Sequence, residues 1–179
     1  MKRMLMIAVL IMLFSIIAKS QEESKISNSF GVGFQLGEIQ DDFGIGLNIT
    51  SPYIFDNRVA VRARANFVWN EHLDGIETTW TPYSNFTLGV VGVGGKINDY
   101  IRLYGEGGVI LLLPSDEFSD GEMVSGGYGL FGFEFYHFRN LNYFIEIGGV
   151  GTGARENTIA TRPIYSNGLM INAGLRVHF

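Results

Sequence analysis

The residues able to do chemistry in this chain fall into two groups, a few scattered histidines and a set of charges at regular spacing. His72 lies in a polar stretch, His137 in a break between apolar runs and His178 one residue from the chain's end. A serine hydrolase needs a nucleophile, a base and an orienting acid held together, and Ser84, Ser125 or Ser166 with His72 is the only conceivable set. No two histidines have the spacing of zinc ligands. Gly127, Gly129 and Gly132 match G-x-G-x-x-G, but inside an alternating run that opens no helix, so they make no dinucleotide site. Lys96 follows Gly95 without the upstream Gly or the downstream Ser or Thr of a phosphate loop. The sequons at Asn48 and Asn85 fall within strand-like runs. No catalytic residue, metal ligand or cofactor is expected.

The charges are more orderly. Arg62, Arg102, Glu106, Glu134, Glu146 and Arg176 each hold the polar phase of a run whose other residues are largely apolar. Val59, Val61, Ala63, Ala65, Phe67 and Trp69 alternate with Arg62, Arg64 and Asn66, for example, and Phe131, Phe133 and Phe135 flank Glu134. Period-two alternation is the mark of a strand with one apolar face, so the six charges share the opposite face. Reflection about Phe118 sets Arg102 opposite Glu134; reflections about Asn140 and Thr161 set Glu134 opposite Glu146 and Glu146 opposite Arg176. A row across four adjacent strands results, with Glu106 and Arg62 near enough to join it. Charges in a narrow lumen are costly unless paired. A paired row either fills and specifies the interior or works as a gate or proton path whose pairs rearrange.

Eight such runs can be counted: 29–37, 43–50, 58–69, 84–95, 100–112, 124–136, 143–154 and 169–179. The alternation of the fourth slips around Val90 and Val91, which predicts a bulge there. Polar stretches 70–83, 113–123 and 155–166 form long loops, 38–42 a shorter one on the same side, and the other three connections are short turns. An even strand number with long loops on one side predicts an all-β, eight-stranded antiparallel up-and-down transmembrane barrel.

Composition supports that reading. Lys2 and Arg3, an apolar run to Ile17 and the small residues Ala18 and Ser20 form a secretory signal peptide over 1–20, leaving 21–179 as the barrel domain behind a polar lead, 21–28. The apolar run is shorter than the ~20 residues of a spanning helix. There is no Cys, which excludes disulfides and a lipoprotein anchor. The chain is 46% hydrophobic with 24 Gly and 17% charged residues, as suits a barrel with lipid outside and a crowded lumen within. Without Lys2, Arg3 and Lys19, ten basic face eighteen acidic residues, a net charge of −8 that offers no footprint for nucleic acid.

The final strand carries the sharpest signal. Leu169, Ile171, Ala173, Leu175, Val177 and Phe179 share one face; Met170, Asn172, Gly174, Arg176 and His178 share the other. A strand ending on an aromatic after alternating apolar residues resembles the closing strand of bacterial outer-membrane barrels. With the signal peptide and eight amphipathic strands, the chain resembles the small eight-stranded outer-membrane proteins, the group that includes the transmembrane domain of outer membrane protein A. The resemblance implies a monomer in the outer membrane, inserted by the barrel assembly machinery through an assembly signal at Leu175, Val177 and Phe179. It carries over no active site.

The first three outer loops hold Glu38, Asp41, Asp42, Glu71, Asp74, Glu77, Asp116, Glu117, Asp120 and Glu122 with no Lys or Arg. Beside the phosphates of lipopolysaccharide such a rim invites divalent cations at the acidic loops, although it also serves as a solvated rim and matches no calcium-loop spacing. Trp80 and Tyr83 are expected in the upper aromatic girdle. The resulting expectation is a structural or surface-interaction protein of the cell envelope with a filled, salt-bridged lumen. Its rivals are a lipid A-modifying barrel enzyme, a narrow gated pore, and a soluble barrel with the faces reversed around a ligand cavity.

Overall fold

Because every run alternates, one face of each strand must leave water, and the chain solves this by closing its sheet. The computed structural model describes residues 26–74, 77–120, 123–138, 140–158 and 164–179; the stretch 1–20, read above as a signal peptide, lies outside them. The strands are β1 (Gly31–Ile39), β2 (Asp42–Thr50), β3 (Val59–Asp74), β4 (Glu77–Ile97), β5 (Ile101–Leu113), β6 (Val124–Phe138), β7 (Leu141–Gly151) and β8 (Gly168–His178). Each pairs antiparallel with the next, and β8 returns to β1, from Gly31 opposite His178 to Ile39 opposite Met170, closing the barrel.

The faces divide as the alternation requires. Phe34, Leu47, Ile49, Phe86, Leu88, Val109, Phe131, Ile147 and Leu169 are exposed on the outside. Arg62, Arg102, Glu134, Glu146 and Arg176 are completely buried. No aqueous solvent rewards that distribution; hydrocarbon outside and paired charges inside do. Phe43 and Trp69, opposite one another on β2 and β3, stack at 6.1 Å on the outer surface as part of an aromatic girdle. Tyr83, expected in that girdle, instead points into the lumen and is buried, because it occupies the inward phase of β4.

The connections correct the sequence reading in three places. The stretch 70–83 is no loop: β3 and β4 stay paired out to Asp74 opposite Glu77, so they form one hairpin, with His72 on a strand. Beyond the Trp69 and Pro82 pair that hairpin adds five residues per strand, about 16 Å at ~3.3 Å per residue. Polarity had suggested a loop, but here the buried phase is itself polar, Asn70 and Thr81 bonding Glu156 and Glu117 of the outer connections, so apolar alternation ceases to mark the strand. Pro82 is tolerated because β4 has no β5 partner before Ser84. The first outer connection shrinks to a two-residue turn at 40–41. The bulge of β4 falls between Val93 and Gly95; Val90 and Val91 keep alternating, one outside and one inside, and an inward valine only mimics a slip. Asn98 and Asp99, both at positive φ, make the tight turn before β5, where the Tyr100 N–H bonds the Ile97 carbonyl.

Candidate functional site

The charges singled out in the sequence converge in the lumen. Arg62 reaches all three carboxylates: its Nη1 donates to Glu106 Oε2 at 2.9 Å and Glu146 Oε1 at 3.1 Å, and its Nη2 to Glu134 Oε1 at 3.2 Å. Thr50 Oγ1 accepts from its Nε at 2.8 Å. Glu134 is bound by Arg176 as well, by Arg102 at 3.1 Å and by the Tyr136 hydroxyl at 2.9 Å. Glu146 accepts from Arg64 at 2.9 Å, Tyr104 at 2.6 Å and Asn172 at 3.1 Å. Arg64 also forks onto Glu106, which takes the Tyr128 hydroxyl at 2.6 Å. Arg102 and Arg176 lie over the rings of Tyr53 and Phe144, their charge meeting the electron-rich ring faces. Sharing of each carboxylate among several guanidiniums, with hydroxyl and amide donors on its remaining lone pairs, is what makes burial of so many charges tolerable.

The six charges singled out from the sequence thus share one network, but not as the row that reflection gave. Arg102 stands opposite Glu134. Glu134 lies opposite Phe144 rather than Glu146, and Glu146 opposite Asn172 rather than Arg176, which faces Asn142. Reflection about a loop's midpoint assumes a symmetric loop; β6 carries an irregularity between Tyr136 and Phe138, and the β7–β8 connection is not centred on Thr161. Long guanidinium arms cross the lumen and restore pairing that lateral register does not. Arg64, Tyr104, Tyr128 and Tyr136 also belong to the network. Arg64 had the right phase on β3, whereas tyrosines read as filler until their hydroxyls are placed.

Above this network runs a chain of amides. Arg176 Nε donates to Asn48 Oδ1 at 3.0 Å, Asn48 Nδ2 to Gln35 Oε1 at 3.1 Å, Gln35 Nε2 to Asn66 Oδ1 at 2.9 Å and Asn66 Nδ2 to Asn85 Oδ1 at 2.7 Å. Gly46 stands between Gln35 and Asn66 on β2, and any side chain there would collide with the Asn66 amide.

The outer mouth is stoppered. Phe118, from the connection after β5, is fully buried against Tyr83 and Tyr165, with ring centroids 6.0 and 5.0 Å away. Thr158 ties the last connection to it, its hydroxyl bonding the Glu117 carbonyl at 3.0 Å. Asp42 is buried beneath, accepting from the Tyr83 hydroxyl at 3.1 Å, so it leaves the acidic rim to which its place in the sequence had assigned it. Asp41, Glu71, Asp116, Glu117 and Asp120 remain exposed there; the side chains of Asp74 and Glu77 and the whole of Glu122 lie outside the described residues. Burial pushes the Tyr165 phenol above its ordinary value, and nearby Glu156 pushes it further. The periplasmic end is closed by the lead, where the Ser27 carbonyl and Asn28 Oδ1 accept from Arg102 at 2.6 and 2.7 Å.

The serines considered as nucleophiles are dispersed. Ser166 is buried and shares a 2.7 Å hydrogen bond with Tyr83, while Ser125 is exposed on β6. Among the described residues no cluster of His, Asp or Glu has metal-binding geometry.

Comparison with solved structures agrees with this architecture. The N-terminal β-barrel domain of Pseudomonas aeruginosa OprF superposes with a TM-score of 0.59 at 14% identity, covering 86% of this chain and 98% of that one. The fold is that of the eight-stranded bacterial outer-membrane barrels. The outer membrane protein OprG of the same organism matches with a TM-score of 0.55 at 11% identity, covering 87% and 98%. No family model and no curated protein sequence matches the chain. The exposed apolar residues of the strands form the outer surface of that fold.

Proposed function

We propose that this protein is a structural and surface-interaction component of the cell envelope, a monomeric outer-membrane barrel without a conducting path. One observation carries the reading: the lumen is spanned by mutually paired side chains from the lead at one end to the Phe118 stopper at the other. The part left to meet partners is the β3–β4 hairpin and the acidic rim around it. Carboxylates there would share divalent cations with the phosphates of lipopolysaccharide. Leu175, Val177 and Phe179, exposed in whole or part on the outer face of the closing strand, are assigned to recognition by the barrel assembly machinery.

Planar-bilayer recording of purified protein tests the closed lumen. No steady conductance is expected, together with outer-membrane fractionation and a gel mobility that shifts on boiling; a stable ohmic channel would overturn the reading.

A further inference from the structure

The buried charges do not balance. Among the described residues five carboxylates are withdrawn from water, those of Asp42, Glu106, Glu134, Glu146 and Glu156, against the four guanidiniums of Arg62, Arg64, Arg102 and Arg176. Every ion pair among them goes to Glu106, Glu134 or Glu146. The other two carboxylates stand at the outer mouth with neutral donors. Asp42 accepts from the Tyr83 hydroxyl at 3.1 Å and the Glu71 N–H at 3.4 Å. Glu156 is 1% exposed; its Oε1 takes the Asn70 amide, and its Oε2 has no partner. A buried acceptor left unmade is expensive, and more so when it carries charge. A proton alone would remove the charge yet leave the new hydroxyl without an acceptor, whereas one monovalent cation with N–H donors would supply both the charge and the missing bond.

Phe118 shows what shape such a group can have. Its fully buried ring belongs to the connection after β5, not to the barrel wall, and it lies among Tyr165, Tyr83 and His72 with centroids 5.0, 6.0 and 6.3 Å away. His72 Nδ1, beside the same ring, is another buried atom without a partner. Glu156 is close by: two residues on, Thr158 bonds the Glu117 carbonyl at 3.0 Å, and the charge of Glu156 acts on the Tyr165 phenol. Aromatic faces beside carboxylates are the surroundings that hold organic ammonium ions. A hard metal ion needs several oxygens around it, and no cluster of that geometry occurs among the described residues.

We propose that the Phe118 ring is a built-in occupant of a ligand site at the outer mouth, and that the site takes a small arylalkyl ammonium ion, its ring replacing that of Phe118 and its ammonium group donating to Glu156 Oε2. The exchange leaves the paired network below intact, so the site requires no conducting path.

The test is calorimetric titration of the mature protein, refolded in detergent micelles, with benzylamine, a cation at neutral pH, and with benzyl alcohol, its neutral counterpart. Benzylamine should bind one to one and about tenfold more tightly than the alcohol, the worth of a charge-assisted hydrogen bond. Phe118→Ala should tighten benzylamine about tenfold further, because no ring has to leave first. Glu156→Gln in that background should remove the preference for the amine while leaving the alcohol unchanged; micelle partition is common to all variants and cancels. Absence of saturable binding to both the unmodified and the F118A protein, equal affinity for amine and alcohol, or a benzylamine affinity indifferent to Phe118→Ala or to Glu156→Gln would each overturn the proposal. Should E156Q fail to give a heat-shifting gel band, the amine and alcohol titrations of the unmodified and F118A proteins decide alone.

Discussion

Glu134 is the carboxylate on which the periplasmic half of the lumen depends, and Glu134→Gln isolates its charge with almost no change of shape. Three guanidiniums, those of Arg62, Arg102 and Arg176, converge on it, and its side chain is completely buried. The substitution keeps an acceptor but removes one of the three glutamate charges that Arg62, Arg64, Arg102 and Arg176 share. Removing one member of a buried pair costs ~3–5 kcal/mol. At ~2–4 °C per kcal/mol for a chain of this size, the unfolding temperature should fall by roughly 6–20 °C. The assay is the temperature at which the compact gel band of unboiled, micelle-refolded protein converts to the slow one, with the urea midpoint beside it. Asp116→Asn, on the exposed rim, supplies the reference and should stay within ~0.5 kcal/mol. Joint replacement of Glu134 by Leu and Arg176 by Met should recover only part of the loss, since Arg102 still loses its Glu134 partner. A Glu134→Gln protein as stable as Asp116→Asn would refute the network's energetic role. Glu146→Ala is a separate case: it strips Arg62 and Arg64 rather than Arg176.

Other consequences follow from the same geometry. Gly108→Ala would drive a Cβ into the Leu88 carbonyl, whereas a Cβ at Gly92 meets nothing within 4 Å; the first should cost ~1–3 kcal/mol by urea titration and the second close to none. Phe118→Ala removes the stopper's ring from Tyr83 and Tyr165 and should speed proteolysis of the connection after β5 without altering barrel stability comparably; unchanged cleavage would show that the ring does not hold the mouth. Tyr165 has its phenol pKa raised above 10.0, chiefly by burial, so an opened mouth ionises first. Closure is fully supported below pH 10 and weakens as pH rises toward the folded-state value, which limited proteolysis at pH 8 and 11 would register and Tyr165→Phe should largely remove. Replacing the hairpin tip 72–79 by a two-residue turn should leave the heat-dependent gel shift intact, since the described residues among them have their strand partners within the tip; loss of the folded band would show that the hairpin supports the barrel.

Alternation is a local property, and what it governs could be read directly. The pleat sends successive side chains to opposite faces, so Phe131, Phe133 and Phe135 against Glu134, or Leu169 to Val177 against Arg176, determine strand positions, inner and outer faces and the charged character of the lumen by themselves. The same rule failed at 70–83, where polar side chains such as Asn70 and Thr81 occupy the buried phase, and at Val91, an apolar side chain facing inward. Which charge meets which was decided by the tertiary structure alone. Shear, loop asymmetry and the irregularity at Phe138 set the lateral register across a closed sheet, and Arg62 reaches Glu146 from 84 residues away in sequence only because the barrel wall curves back on itself. The stopper at Phe118, the inward turn of Asp42 and the acceptor left over at Glu156 likewise depend on what the opposite wall presents, and a chain read one strand at a time has no opposite wall.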